Sequence, residues 1–258
     1  MRPVSILLGC LLLVMLAVAG TAGAVPVVTL KLEPVPIVGQ PHTGYILGHG
    51  AALEAEYRIS GTEYGGFPPP LIGIDFYLPA GTKLHPQGFP TCPPSTLEPA
   101  GIGPKGCPKG SAAGPAGSVT GYVAFGSEIV PETATIEPFY APDGGLEFFT
   151  FGHEPVLIEI LSKGRYVNVD REGFGQKLTA QVPLVETVPG AQDASVEKIN
   201  VKVGSAIKVK GRTIFYGMLP TTCPKEGFTV KSDLTFAGLG GLTQSTVTVT
   251  YKAPCPRR

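Results

Sequence analysis

Phe228-Thr-Val-Lys-Ser-Asp-Leu-Thr-Phe236, a glycine-rich step through Gly238-Leu239-Gly240-Gly241, and Gln244-Ser-Thr-Val-Thr-Val-Thr-Tyr-Lys252 read as two strands and their turn. In the second run Val247, Val249 and Tyr251 fall on one face, and Thr246, Thr248 and Thr250 on the other. Alternation of this kind marks a half-buried strand, because successive side chains of an extended chain point to opposite faces. Val and Thr suit it, since branching at Cβ packs well on a pleated surface. Folding the hairpin about Gly240 brings Cys223 and Cys255 almost opposite each other at its open end. Opposed antiparallel residues sit ~4.5–5.5 Å apart at Cα, within disulfide reach. Cys92 and Cys107 then pair across a Pro/Gly loop of fourteen intervening residues. A four-thiolate zinc site would bring cysteines in close pairs such as C-x-x-C, and neither pair here is close.

The rest of the chain alternates in the same way. Leu53, Ala55, Tyr57 and Ile59 interleave with Glu54, Glu56, Arg58 and Ser60; Ile72, Ile74, Phe76 and Leu78 interleave with Gly73, Asp75 and Tyr77. Further strands are expected over Val27–Leu32, Ser118–Phe125, Thr133–Tyr140, Leu146–Phe151, Val156–Leu161, Lys177–Val182, Val196–Val203 and Ala206–Lys210. The 35 glycines and 27 prolines punctuate these runs. No convincing helical stripe appears after the leader, so the crossover helices that a parallel sheet needs are missing. Many short strands with such turns point to an all-β, antiparallel β-sandwich. One domain over residues 25–258 is expected, with Pro189-Gly190-Ala191-Gln192-Asp193 the best internal boundary.

Arg2, an apolar run from Val4 to Ala19, and the small residues Thr21-Ala22-Gly23-Ala24 read as a secretory signal cleaved before Val25. The run falls short of the ~20 apolar residues that span a bilayer. Export agrees with four cysteines available for disulfides. The expected protein is secreted, extracellular or held at the cell surface, and does not span a membrane once cleaved. Lys plus Arg total 20, as do Asp plus Glu, so there is no basic surplus for a phosphate-tracking groove and no nucleic-acid partner is expected.

Leu78-Pro79-Ala80-Gly81-Thr82-Lys83-Leu84, then Gly88-Phe89-Pro90-Thr91-Cys92, then Gly106-Cys107-Pro108-Lys109-Gly110-Ser111 form a recognisable series. It resembles a family of secreted all-β proteins from high-GC Gram-positive bacteria, marked by F-P-x-C followed by C-P-x-x-S. The resemblance covers about residues 72–123 and implies export and a sandwich-like fold. It implies no chemistry, because no activity is assigned to that family.

Candidate sites are sparse. Gly101-Ile102-Gly103-Pro104-Lys105-Gly106 matches G-x-G-x-x-G, but Pro104 interrupts it and no helical pattern follows, so a glycine-rich disulfide loop is the better reading. Ser195-Val196-Glu197-Lys198 matches S-x-x-K, yet a strand would turn Ser195 and Lys198 to opposite faces. His42, His49, His85 and His153 lack the spacing of a metal site, and no metal or cofactor is expected. The acids Glu128, Glu132, Glu137, Asp143, Glu147, Glu159, Asp170 and Glu172 are scattered. Trp is absent, but Tyr77 and Tyr122 lie on the polar phase of their strands and are the rings expected to face solvent as a binding surface.

The favoured reading is a secreted, non-catalytic structural or binding protein whose partner is a cell-envelope component or glycan. The alternatives are a secreted hydrolase of polysaccharide or ester, with paired acids doing the chemistry, and a cell-wall or carbohydrate-binding module.

Overall fold

A computed structural model describes residues 25–98, 101–125, 128–171 and 173–256. The expected leader, residues 1–24, lies outside them. In chain order the strands are β1 (Val27–Val35), β2 (Ala52–Ser60), β3 (Leu71–Pro79), β4 (Lys83–Leu84), β5 (Gly117–Phe125), β6 (Glu128–Tyr140), β7 (Leu146–Gly152) and β8 (Ile158–Arg171). They continue as β9 (Phe174–Gln181), β10 (Ser195–Val203), β11 (Ala206–Val209), β12 (Arg212–Phe215), β13 (Gly217–Met218), β14 (Phe228–Phe236) and β15 (Ser245–Ala253). Among the described residues the helical pieces are α1 (Pro94–Leu97) and one 3-10 turn (Pro104–Gly106).

Eleven strands form one sheet in the order β1-β2-β10-β5-β6-β7-β8-β9-β3-β14-β15, and every neighbouring pair is antiparallel. The two outermost strands, β1 and β15, come alongside each other. Since direction alternates, the first and eleventh strands point the same way, and among the described residues no ladder joins them. The sheet therefore rolls over on itself. The two layers of the expected antiparallel sandwich are halves of one continuous sheet, meeting at this seam. Residues 195–203, beyond the Pro189–Asp193 connection, sit in that sheet between β2 and β5.

Alternation decides what the roll encloses. β14 buries Phe228, Val230, Ser232, Leu234 and Phe236, with the residues between them only half covered. Leu30 and Leu32 of β1, Tyr57 and Ile59 of β2, Ile136 and Tyr140 of β6, and Leu146 and Phe148 of β7 join them in one apolar interior. A hydrogen bond crosses it near the seam: Tyr57 Oη donates to Ser232 Oγ at 3.0 Å, and Ser232 Oγ donates to the Asp75 carbonyl at 3.1 Å. A buried hydroxyl left without a partner would cost about 1–3 kcal/mol, so this relay fixes which walls face each other.

Both disulfides join the expected partners. Cys223 and Cys255 are 6.0 Å apart at Cα, and Cys92 and Cys107 are 5.0 Å apart. The Cys92–Cys107 segment is a flap on the outside of β6, β7 and β8. Cys92 and Leu97, both fully buried, pack there against Phe139, Phe149 and Leu161. β7 is thus covered on both faces, which explains its almost unbroken burial.

An apolar cavity beneath a latched cap

Because strand directions alternate, the connections gather at two ends of the roll. One end carries the long ones, residues 36–51, 80–116 and 204–227, and two of these build a cap with β4. β13 pairs with β4, and β11 pairs with β12 as a separate hairpin. The Leu219 N–H donates to the His49 carbonyl (2.9 Å), Gly48 N–H to Pro220 O (3.0 Å), Ala51 N–H to Gly217 O (3.1 Å), and His85 N–H to Tyr216 O (2.8 Å). Gly50 lies so close on the Phe215 ring that a Cβ could not fit. The Cys223–Cys255 bridge latches the exit of the cap to the end of β15.

Beneath this cap the interior is not filled. A cavity of about 210 Å³ runs between the walls and the cap. Leu53, Ile74, Phe76, Phe148, Leu178 and Val201 are among its walls, and Met218 and Leu219 form its cap side. Its lining runs along β3 from Leu71 to Pro79, about 25 Å of strand at ~3.3 Å per residue, so the space is elongated. It exists because small residues occupy inward positions: Ala55, Ser162 and Ala180 border it where larger side chains would close it. An apolar cavity near ~150 Å³ already stays dry and takes up benzene.

The polar groups at the cavity are few. Thr150 and Ser162, on β7 and β8, reach it from one wall, and Tyr166 and Tyr216 stand nearer the cap. Tyr216 is 2% exposed, and its ring packs on Tyr140 (4.4 Å between centroids) and Phe89 (5.5 Å). Its hydroxyl is buried, among the described residues without a hydrogen-bond partner, and the Tyr166 phenol lies beside it. Burial pushes both phenols well above the ordinary tyrosine value, so both are neutral donors at physiological pH. Tyr140 is already satisfied by Ser205 Oγ at 2.7 Å.

The residues singled out from the sequence lie elsewhere. Tyr77 does point away from the interior, but it is only 8% exposed. Its ring faces Phe174 at 5.6 Å and is covered by the Lys231 and Lys177 ammonium groups, 4.5 and 5.6 Å from the ring centre. Tyr122 is half-buried against Phe67, with ring centres 4.2 Å apart. Tyr77 presents no open ring face to solvent, because outward phase on a strand does not prevent neighbouring side chains from covering it, whereas Tyr122 stays partly exposed with Phe67 on it. The four cysteines serve the flap and the cap.

Among the described residues the acids do not assemble, and Glu172 lies outside those residues. Glu128, Asp143 and Glu159 are exposed, and Glu132 is buried and accepts the Val156 N–H at 3.2 Å. Among the described residues no group of three or more His, Cys, Asp or Glu is placed to hold a metal ion. Glu147 is buried beneath the flap with one carboxylate oxygen unpartnered. Burial pushes it up to about 7, against the pull of Lys163 and with Asp143 and Glu98 adding to the rise. The native state therefore holds a proton that the unfolded chain releases at lower pH. Stability drawn from this group is present at acidic pH and is lost as pH rises from the ordinary glutamate range through about 7. Melting curves of Glu147→Gln and the parent protein should differ more at pH 8 than at pH 5, with the variant the more stable at pH 8. An equal difference at both pH values would contradict this assignment.

No protein-family model, no curated protein and no solved structure matches the chain.

Proposed function

We propose that this protein is an extracellular carrier that holds one elongated apolar ligand, such as a single-chain fatty amphiphile, in the cavity under its cap. The observation that carries the reading is an elongated, almost wholly apolar space kept open by small inward residues. The apolar walls suit an alkyl chain, and the buried Tyr216 hydroxyl, with Tyr166 beside it, offers a hydrogen bond to a polar head at the cap end. A preformed cavity with a few placed polar groups is the usual design of small-molecule sites. The leader-like residues 1–24 and the two disulfides support action outside the cell. Among the described residues no helix is long and apolar enough to cross a membrane.

Titration with a fluorescent polyene fatty acid tests the reading. Emission should rise and saturate at one probe per chain, and unlabelled oleate should compete it away. A linear, unsaturable response, or no competition, would sink it.

A further inference from the structure

The chain is neutral overall, but its charge is divided between the two ends of the roll. At the end opposite the cap, the connections 61–70, 153–157, 182–194 and 237–244 carry Glu63, Glu154, Glu186 and Asp193 and not one Lys or Arg. At the cap end, Lys83, Lys208, Lys210, Arg212 and Lys225 are all exposed, and among the described residues none of them is in an ion pair. Three acids near that end are engaged in ion pairs: Glu226 with Lys252 at 3.5 Å, Asp143 with Arg165 at 3.4 Å, and Glu98 with Lys163 at 2.7 Å. The residues 36–51 that border the β11–β12 hairpin contain no Lys, Arg, Asp or Glu.

The tip of that hairpin, Lys208-Val209-Lys210-Gly211-Arg212, concentrates the effect. It places three cations around an exposed valine. Lys210 and Gly211 both have positive φ, 49° and 78°, so they form the two-residue turn that normally favours Asn-Gly. A lysine there accepts backbone strain and puts a charge at the outermost point. The loop 36–51 packs against Phe215 at the base of the hairpin through His49 and Gly50, and on this loop Val38 is 80% exposed, with Tyr45 and Ile46 also exposed. The opposite end exposes Val27, Phe125, Leu157, Leu184 and Val188 too, but with the exposed Glu128 and Glu154 and with Glu186 on its connections, which an anionic surface repels.

We infer that the cap end docks on an anionic phospholipid bilayer, with Lys208, Lys210 and Arg212 meeting the headgroups and Val38, Tyr45, Ile46 and Val209 entering the interface. Basic clusters bind anionic lipid through charges near the surface, and apolar side chains add to this by burial at the headgroup boundary. A bilayer uses both halves of this face, whereas an anionic polysaccharide would use only the charges. The inference rests on the carrier reading for its purpose, since docking would bring the cap, and the cavity beneath it, to a source of chain-bearing lipid. The docking itself is tested without a ligand.

Co-sedimentation of the full protein with phosphatidylglycerol vesicles and with phosphatidylcholine vesicles tests it. Binding is expected to the anionic vesicles alone. It should weaken as salt rises from about 0.1 M to about 1 M, where the screening length falls from ~10 to ~3 Å. Lys208→Gln/Lys210→Asn/Arg212→Gln should bind at least about tenfold more weakly. Asn suits the positive-φ position, and this variant should still take up the polyene probe from solution, which separates failed docking from a failed cavity. Val38→Ser/Ile46→Ser/Val209→Ser should also bind more weakly. Equal binding to both vesicle types, no binding to either, or retention by alginate that the serine variant leaves unchanged would overturn the inference.

Discussion

Ala55→Phe is expected to reduce uptake of a fatty-acid probe by at least tenfold and, at the same time, to raise or preserve the melting temperature. The two effects share one cause. Ala55 is an inward residue of β2 that borders the cavity, so a phenyl ring placed there enters empty space and not a packed core. Adding bulk to a filled interior ordinarily costs about 1–3 kcal/mol. Adding it to a void removes part of a penalty that runs at ~24 cal/mol per Å³. A ring can occupy most of the width that an alkyl chain would need. Binding measured by probe fluorescence and stability measured by thermal melting therefore move in opposite directions, which loss of folding cannot mimic. A variant that melts several degrees lower and still binds would show that the space is not where the ligand goes.

Replacing both Cys223 and Cys255 by Ser is expected to lower stability by about 3–4 kcal/mol, from the chain entropy of the loop they close. Their sequence separation is 32. For a chain of this size that corresponds to a fall of roughly 6–15 °C in Tm. This bridge latches the cap, so its loss should also speed release of bound probe. Cys92→Ser/Cys107→Ser removes a comparable constraint from a flap on the outer wall, and there the melting temperature should fall with little change in release rate. Saturating probe should return part of the lost stability to the Cys223→Ser/Cys255→Ser protein, because a ligand that binds only the folded state shifts the equilibrium by mass action. Equal release rates in the two variants would contradict the assignment of the latch.

What could be read in advance follows from how local each feature is. The terminal hairpin and its disulfide were legible because strand phase and turn position fix both within about thirty residues. The length of β8 was not: Lys163 and Arg165 sit on the outward phase and Gly164 on the inward one, so the strand looks polar and broken just where it continues to Arg171. The short β12 was hidden because its apolar Ile214 and Phe215 follow a charged turn. The roll itself is not written in alternation, which assigns each residue a face but never names the neighbouring strand. β10 entering between β2 and β5 is a fact of tertiary pairing alone. The cavity is less visible still, since it depends on the summed deficit of Ala55, Ser162 and Ala180 on three separate strands. Tyr77 and Tyr122 show the converse. Their outward phase was legible, but the Lys177 and Lys231 side chains that cover Tyr77, and the Phe67 ring that packs on Tyr122, were not.

The most direct test uses the absence of tryptophan from the chain. Phe148→Trp places a single indole on the cavity wall, at a site 8% exposed in the parent protein. Dibrominated stearate should quench its emission saturably at one equivalent, whereas aqueous iodide should barely reach it. Ready quenching by iodide, or no quenching by the brominated chain while the protein stays folded, would contradict a dry interior that holds a lipid chain.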